Sequence, residues 1–147
     1  MIETLEAIKS KHLEKTCKIG YTSGVFDLLH MGHKNFISSC QKQCDILIIG
    51  VDSDQRVKEQ KGDQRPIQHQ NVRITEVSRL NEYTFLKNAD SHFYIANFKV
   101  DIIFLSSDRS QKIKKLKQCY PSKEIVMIPY TKNISTTLLI SQPVMPV

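Results

Sequence analysis

The 147 residues suit one domain, and a 40% hydrophobic content supplies enough apolar surface for a single core. Charged residues make up 24%, which argues against wholesale disorder, and the excess of 21 Lys and Arg over 15 Asp and Glu gives a net +6 that suits an anionic partner. The longest apolar run, Ile46 to Val51, is too short to span a bilayer. The opening residues, Met1 to Glu6, show no basic stretch followed by an apolar one, so a cytosolic protein without a membrane partner is expected.

In chain order, residues 2 to about 15 read as an amphipathic leader helix carrying Leu5, Ile8 and Leu13 on one side. Cys17 to Ser23 is a β-type run ending at Gly24. Lys34 to Lys42 has Phe36, Ile37 and Cys40 at helical spacing, and Ile46 to Val51 reads as a strand buried on both faces. Asp52 to Gln70 is polar, contains Gly62 and Pro66, and is expected to be a long loop. A helix follows over Val72 to Leu80, then strands at Phe93 to Ile95 and Ile102 to Leu105. A basic helix from Ser110 to Cys119 precedes a strand at Ile125 to Ile128, and a last helix begins near Ser135 and stops before Pro143.

Strands alternating with helices at this spacing predict a single α/β domain: Rossmann-like, doubly wound, with a mostly parallel five-stranded sheet. Ligands in such sheets bind beyond the carboxyl ends of the strands, which directs attention to the segments after Ser23, Val51, Leu105 and Ile128. The four cysteines (Cys17, Cys40, Cys44, Cys119) form no C-x-x-C pair and read as reduced structural thiols. The lysines of Lys112 to Lys117 read as the solvated face of a helix, because no interleaved aromatics or RNA motif accompany them.

The first of those segments is Gly24-Val25-Phe26-Asp27-Leu28-Leu29-His30-Met31-Gly32-His33. It lacks the dinucleotide fingerprint G-x-G-x-x-G. It does offer a glycine turn at a strand end, then two imidazoles three residues apart around a glycine at a helix start. Backbone N–H groups and the helix dipole favour phosphate there, and the two histidines can donate hydrogen bonds to it.

This segment resembles the G-x-F-D-x-x-H-x-G-H signature of the cytidylyltransferase-like nucleotidyltransferase superfamily. Ser53-Asp54 at the second strand end, Lys61-Gly62-Asp63-Gln64-Arg65-Pro66-Ile67 with Arg73 downstream, and Ile134-Ser135-Thr136-Thr137 follow in that family's order. The lysine segment is similar to the K-G-x-x-R-P-[VI] stretch of bacterial heptose-phosphate adenylyltransferases. Departures are Ser106-Ser107-Asp108 where a glycine-type turn is common, Asn71-Val72 where an acid often precedes the arginine, and Tyr130 to Asn133 in place of R-T-E-G.

The resemblance implies transfer of a nucleoside monophosphate from an NTP to a phosphorylated small molecule, with release of pyrophosphate. It implies Mg²⁺ arriving with the NTP, no metal-ligating set of the chain's own, and a homodimer. On it, His30, His33 and Lys61 are the catalytic group. Gly24, Val25, Phe26, Asp27, Gly32, Asp108, Ile134, Ser135, Thr136 and Thr137 bind nucleotide, while Arg65 and Arg73 hold substrate phosphate. The residues alone leave simpler roles open, Ser135 as a helix cap and Arg65 as a solvated loop residue. Lys61 to Ile67 and Tyr130 favour ATP and a sugar 1-phosphate. The alternatives are CTP with glycerol 3-phosphate or another alcohol phosphate, and a degenerate protein that binds nucleotide without turnover.

Overall fold

The computed structural model describes residues 17–129. The leader helix over 2–15, Tyr130, Ile134, Ser135, Thr136, Thr137 and the closing helix lie outside the described residues.

Five strands form one parallel sheet in the order β3-β2-β1-β4-β5: β1 (Ile19–Gly24), β2 (Ile46–Asp52), β3 (Tyr83–Lys87), β4 (Ile102–Ser106) and β5 (Glu124–Ile128). The helices between them are α1 (Met31–Gln41), α2 (Asp54–Lys61), α3 (Gln70–Ser78), α4 (Ser91–Asn97) and α5 (Ile113–Cys119), with a 3-10 turn over Ser107–Lys112. The chain builds outward from β1 through β2 to β3, then returns to β4 on the other side of β1. The β1/β4 boundary is therefore the switch point where the strand ends open a crevice.

β2 shows why the sheet needs helices on both faces. Leu47, Ile49 and Val51 enter one core cluster with Phe36, Ile37 and Cys40 of α1 and Ile74 and Val77 of α3. Ile46 and Ile48 enter the other with Phe85, Tyr94, Ile95 and Phe98. Alternate side chains of an extended strand point to opposite faces, so a continuous apolar run is covered twice.

Two expectations are corrected. Asp52 to Gln70 is not all loop: α2 occupies Asp54–Lys61, capped by the Ser53 hydroxyl, which accepts the Arg56 N–H at 3.3 Å. Phe93 to Ile95 lies inside α4, whose cap is the Asp90 carboxylate accepting the His92 N–H at 3.0 Å. The strand in that region is β3, earlier in the chain. Among the described residues, no helix is long and apolar enough to cross a membrane.

Candidate active site

A cleft of about 710 Å³ opens at the carboxyl ends of the strands. Its lining carries seven Lys and Arg (56, 61, 65, 87, 109, 112, 115) against four Asp (27, 52, 90, 108), so its surface is cationic. Burial pulls the Lys61 ammonium below its usual range, helped by the charges of Arg109 and Arg65, and Lys112 is lowered by burial and Arg109 in the same way. Cations crowded until they disfavour one another's charge are set up to receive a polyanion.

One wall is the turn between β1 and α1. Phe26 and Leu28 sit at φ 54° and 52°, a left-handed backbone that costs a non-glycine residue on the order of 1 kcal/mol or more. The turn is held in that shape from outside. The Asp27 carboxylate, 2% exposed, accepts the N–H groups of Ile67 (2.7 Å) and Gln68 (2.9 Å), and the Gln68 side-chain carbonyl accepts the Leu28 N–H at 3.0 Å. Arg65 Nε stands 3.6 Å from the same carboxylate and faces the cleft.

The two histidines start α1. Gly32 N–H donates to His30 Nδ1 at 3.0 Å, and His30 N–H donates to His33 Nδ1 at 3.3 Å. The rings stack with centroids 3.9 Å apart, and Phe26 meets His33 edge-on at 5.6 Å. An Nδ1 that accepts an N–H carries no proton, so each neutral ring has its hydrogen on Nε2. Burial lowers His30, while burial and His30 push His33 down to about 4, so both are neutral near pH 7. His30, 5% exposed, is not among the residues that line the cleft, and its Nε2 is buried without a hydrogen-bond partner; of the two histidines, His33 is the one in the lining. A neutral N–H donor at a helix start suits a phosphate oxygen.

The other residues expected at the site divide into two groups. Gly24, Val25, Phe26, Asp27, Lys61, Arg65 and Asp108 line the cleft with His33. Lys61 is the last residue of α2 rather than part of a loop, and Gly62 at φ 93° ends that helix. Asp108, in the 3-10 turn, accepts the Ser106 hydroxyl. Gly32 does not line the cleft, and its N–H is spent on His30. Arg73 also departs from its expected place. It is 0% exposed and donates to the carbonyls of Val25 (2.7 Å), Asp52 (2.8 Å) and Gln68 (3.0 Å) and to the Asp54 carboxylate (2.8 Å). Its guanidinium is consumed inside the protein, so here it braces the ends of β1 and β2 instead of facing a ligand.

The cytidylyltransferase-like family matches this chain over residues 21–142, a span that includes the whole cleft lining. The chain belongs to that family. Curated relatives include the bifunctional protein HldE of Nitratiruptor sp. (34% identical over 144 residues, 95% of this chain) and that of Campylobacter concisus (33%, 96% of this chain). The chain spans about 30% of the length of these relatives. A lipopolysaccharide core biosynthesis protein of Thermoplasma volcanium has the same fold, with a TM-score of 0.67 at 24% identity, over 78% of this chain and 98% of that one. The pantoate-β-alanine ligase of Francisella tularensis shares it at a TM-score of 0.62 and 15% identity, over 93% of this chain and 74% of that one.

The family's cleft holds, in this member, residues that the sequence did not single out. Tyr21, Ser23, Arg56, Lys87, Ser91, Arg109 and Lys112 all line it. Lys87 sits at the end of β3, a strand whose mixed polar and apolar residues do not mark it in the sequence. Lys112 and Lys115 face the cleft, contrary to the expectation that they lie on a solvated helix face.

Proposed function

We propose that this nucleotidyltransferase-family chain transfers a nucleoside monophosphate, AMP in the first instance, from an NTP to a sugar phosphate such as a heptose 1-phosphate, releasing pyrophosphate. The observation that carries the reading is the stacked His30–His33 pair, with both Nδ1 atoms tied to backbone N–H groups and the buried His30 Nε2 unpartnered. The likeness of Lys61 to Ile67 to the K-G-x-x-R-P-[VI] stretch of heptose-phosphate adenylyltransferases supports the sugar phosphate as acceptor.

The chemistry asks little covalent work of the protein. The acceptor's phosphate oxygen is already an anionic nucleophile, so no activated side chain or general base is required. An oxygen of that phosphate attacks the α-phosphorus, the bond to the β-phosphate breaks, and pyrophosphate leaves with the electron pair. The barrier lies in joining two polyanions and spreading charge onto the leaving group. The Nε2 hydrogens of His30 and His33 would donate to triphosphate oxygens, with Gly24 to Asp27 as the wall of the nucleotide site. Lys61, in the cleft lining, would bridge the reacting phosphates, with Arg65 near it. Asp108 would meet the nucleoside side. Ile134 to Thr137 would close a second anion site, and a homodimer would be the working assembly.

Among the described residues no group of three His, Cys, Asp or Glu can hold a metal. Mg²⁺ in this reading is carried in on the triphosphate, where it neutralises charge.

Pyrophosphate release, measured with each of four NTPs against a panel of phosphorylated sugars and polyols, tests the proposal. ATP with a sugar 1-phosphate should be the productive pair. CTP with glycerol 3-phosphate as the sole productive pair would overturn the choice of substrates. Binding without turnover would make the chain a nucleotide-binding protein, a reading favoured by one observation: the Ser106 hydroxyl ties up Asp108 at the turn where the family has glycine-type residues.

A further inference from the structure

The end of the cleft over β2 and β3 holds a polar cluster distinct from the histidine turn. Lys87 and Asp52 end their strands as directly opposed residues of the parallel ladder. By the two-residue alternation of a strand, Lys87 shares the face of Phe85, and Asp52 that of Ile48. Lys87 is 4% exposed, and its Nζ lies 3.3 Å from Asp52 Oδ1. Arg56 Nε, one turn into α2, is 3.5 Å from the same oxygen and has no hydrogen-bond partner.

Two cations on one carboxylate exceed what a structural ion pair needs. An ammonium has three N–H donors, and Asp52 takes one of them from Lys87. Burying the surplus charge is unfavourable unless something anionic arrives to meet it. Asp90 offsets this only in part: its charge favours the Lys87 ammonium, but it caps α4 and its side chain is 72% exposed. Lys112 adds a further positive charge within reach of Lys87 and Asp52.

The fold also makes room for this lysine. A Cβ on Gly50 would stand 3.2 Å from Lys87 Cδ and 3.3 Å from its Cβ, so the lysine lies over the bare backbone of β2. Beside it, Tyr21 Oη and Ser23 Oγ meet Ser91 Oγ at 3.0 and 3.5 Å, a line of hydroxyls along the same floor. All six side chains, Tyr21, Ser23, Asp52, Arg56, Lys87 and Ser91, line the cleft.

We infer that Lys87 and Arg56, oriented by Asp52, receive a phosphate group of the acceptor, and that the Tyr21–Ser23–Ser91 hydroxyls receive hydroxyls of its polyol body. The inference rests on the transfer reaction proposed above and adds the residues that select the acceptor. A phosphate brings oxygens for the unspent donors of Lys87 and Arg56, and a charge opposite to the surplus. The phosphate involved is either the reacting one or a second one on the same acceptor.

Titration with inorganic phosphate, followed at backbone amides by NMR, tests the site without turnover. The amides of Lys87, Asn88 and Ser91 should shift and saturate together. Lys87→Met should weaken that binding at least tenfold, and so should Arg56→Gln, whose partly exposed site leaves the core untouched. The double variant Asp52→Asn/Lys87→Met, which removes the pair without stranding a charge, should behave like Lys87→Met. Lys58→Ala, on α2 away from the cleft, should bind as the parent does. In turnover, Lys87→Met should raise the acceptor KM at least tenfold while the NTP KM stays within twofold. A rise for monophosphate acceptors assigns the reacting phosphate, and a rise confined to bisphosphates assigns a second one. Parent-like phosphate binding in Lys87→Met, or parental shifts confined to Gly24 to His33, would overturn the inference. A chain that no NTP stabilises against heat, yet that binds phosphate through Lys87, would remove the transfer reading and leave the anion site standing.

Discussion

Replacing Arg73 decides between a brace and a phosphate ligand. Arg73→Met keeps an apolar stem of similar reach but removes the donors to Val25 O, Asp52 O, Gln68 O and the Asp54 carboxylate. Removing one partner from a buried hydrogen-bonded ion pair costs about 3–5 kcal/mol, because the groups left behind stay desolvated and unpaired. An unfolding entropy of about 2.1 cal/mol/K per residue gives this chain about 0.3 kcal/mol/K, so the loss corresponds to a fall in Tm of roughly 10–16 °C. Arg73→Lys should recover only part of it, since one ammonium cannot span four acceptors. The effect also has a pH signature. Burial would raise the Asp54 carboxyl, but hydrogen bonds from Arg73 and from the Gln70 backbone hold it below its usual range. A depressed carboxyl adds stability above its unfolded pKa and loses it as pH falls through the lower folded value. The gap between parent and Arg73→Met should therefore shrink below about pH 4. Differential scanning calorimetry from pH 3 to 7 measures both. A variant that melts within 2 °C of the parent but no longer binds phosphate would show that Arg73 serves the ligand, and the brace would be wrong.

Three further outcomes follow from the cleft. His33→Ala should lower kcat by on the order of 10²-fold with the fold retained, because a preplaced donor acts mainly in the transition state; unchanged turnover would make the histidine structural. Lys61→Ala should cost far more in kcat/KM than Lys34→Ala on the outer side of α1, and the deficit should persist at high salt, whereas a long-range field effect is screened. Because His33 is pushed down to about 4, folding must release a proton between that value and the ordinary 6.5. The parent should thus lose up to about 3 kcal/mol relative to His33→Gln as pH falls from 6.5 to 4, and equal urea midpoints at both ends would show that His33 titrates normally.

Much of this architecture is written in the order of residue types. β1, β2, β4 and β5 announce themselves as β-branched or apolar runs, and the glycine turn with its two histidines sits where a parallel sheet places ligands. β3 was hidden because Tyr83-Thr84-Phe85-Leu86-Lys87 mixes polar and apolar residues over five positions, while three aromatic and aliphatic residues in α4 mimicked a strand. Asp90, four residues before Tyr94 and eight before Phe98, was the available signal for a capped helix. α2 was missed for a different reason: only Val57 of its eight residues is buried, so it carries almost no periodicity. Burial of charge is the least legible property. Nothing in the letters separates the enclosed Lys87 and Arg73 from the exposed Lys58; only the register of β3 against β2 and the packing of α3 do.

Long-range hydrogen bonds maintain the left-handed turn at Phe26 and Leu28. A strained backbone persists only where its surroundings overdetermine it. Here the constraint comes from 40 residues downstream: Ile67 and Gln68 donate to Asp27, Gln68 accepts from Leu28 through its side chain, and its main-chain carbonyl accepts from Arg73. Arg73 in turn closes on Val25 O, completing a ring of bonds around the turn. Lys61 lies on the other side of Gly62, whose φ of 93° and lack of any heavy atom within 4 Å of a would-be Cβ leave that joint sterically free. The segment between α2 and α3 is thus fixed at the end that shapes the β1–α1 turn and unencumbered at the end that carries the lysine. Such a division suits a group that must meet phosphates while the histidine donors stay in place.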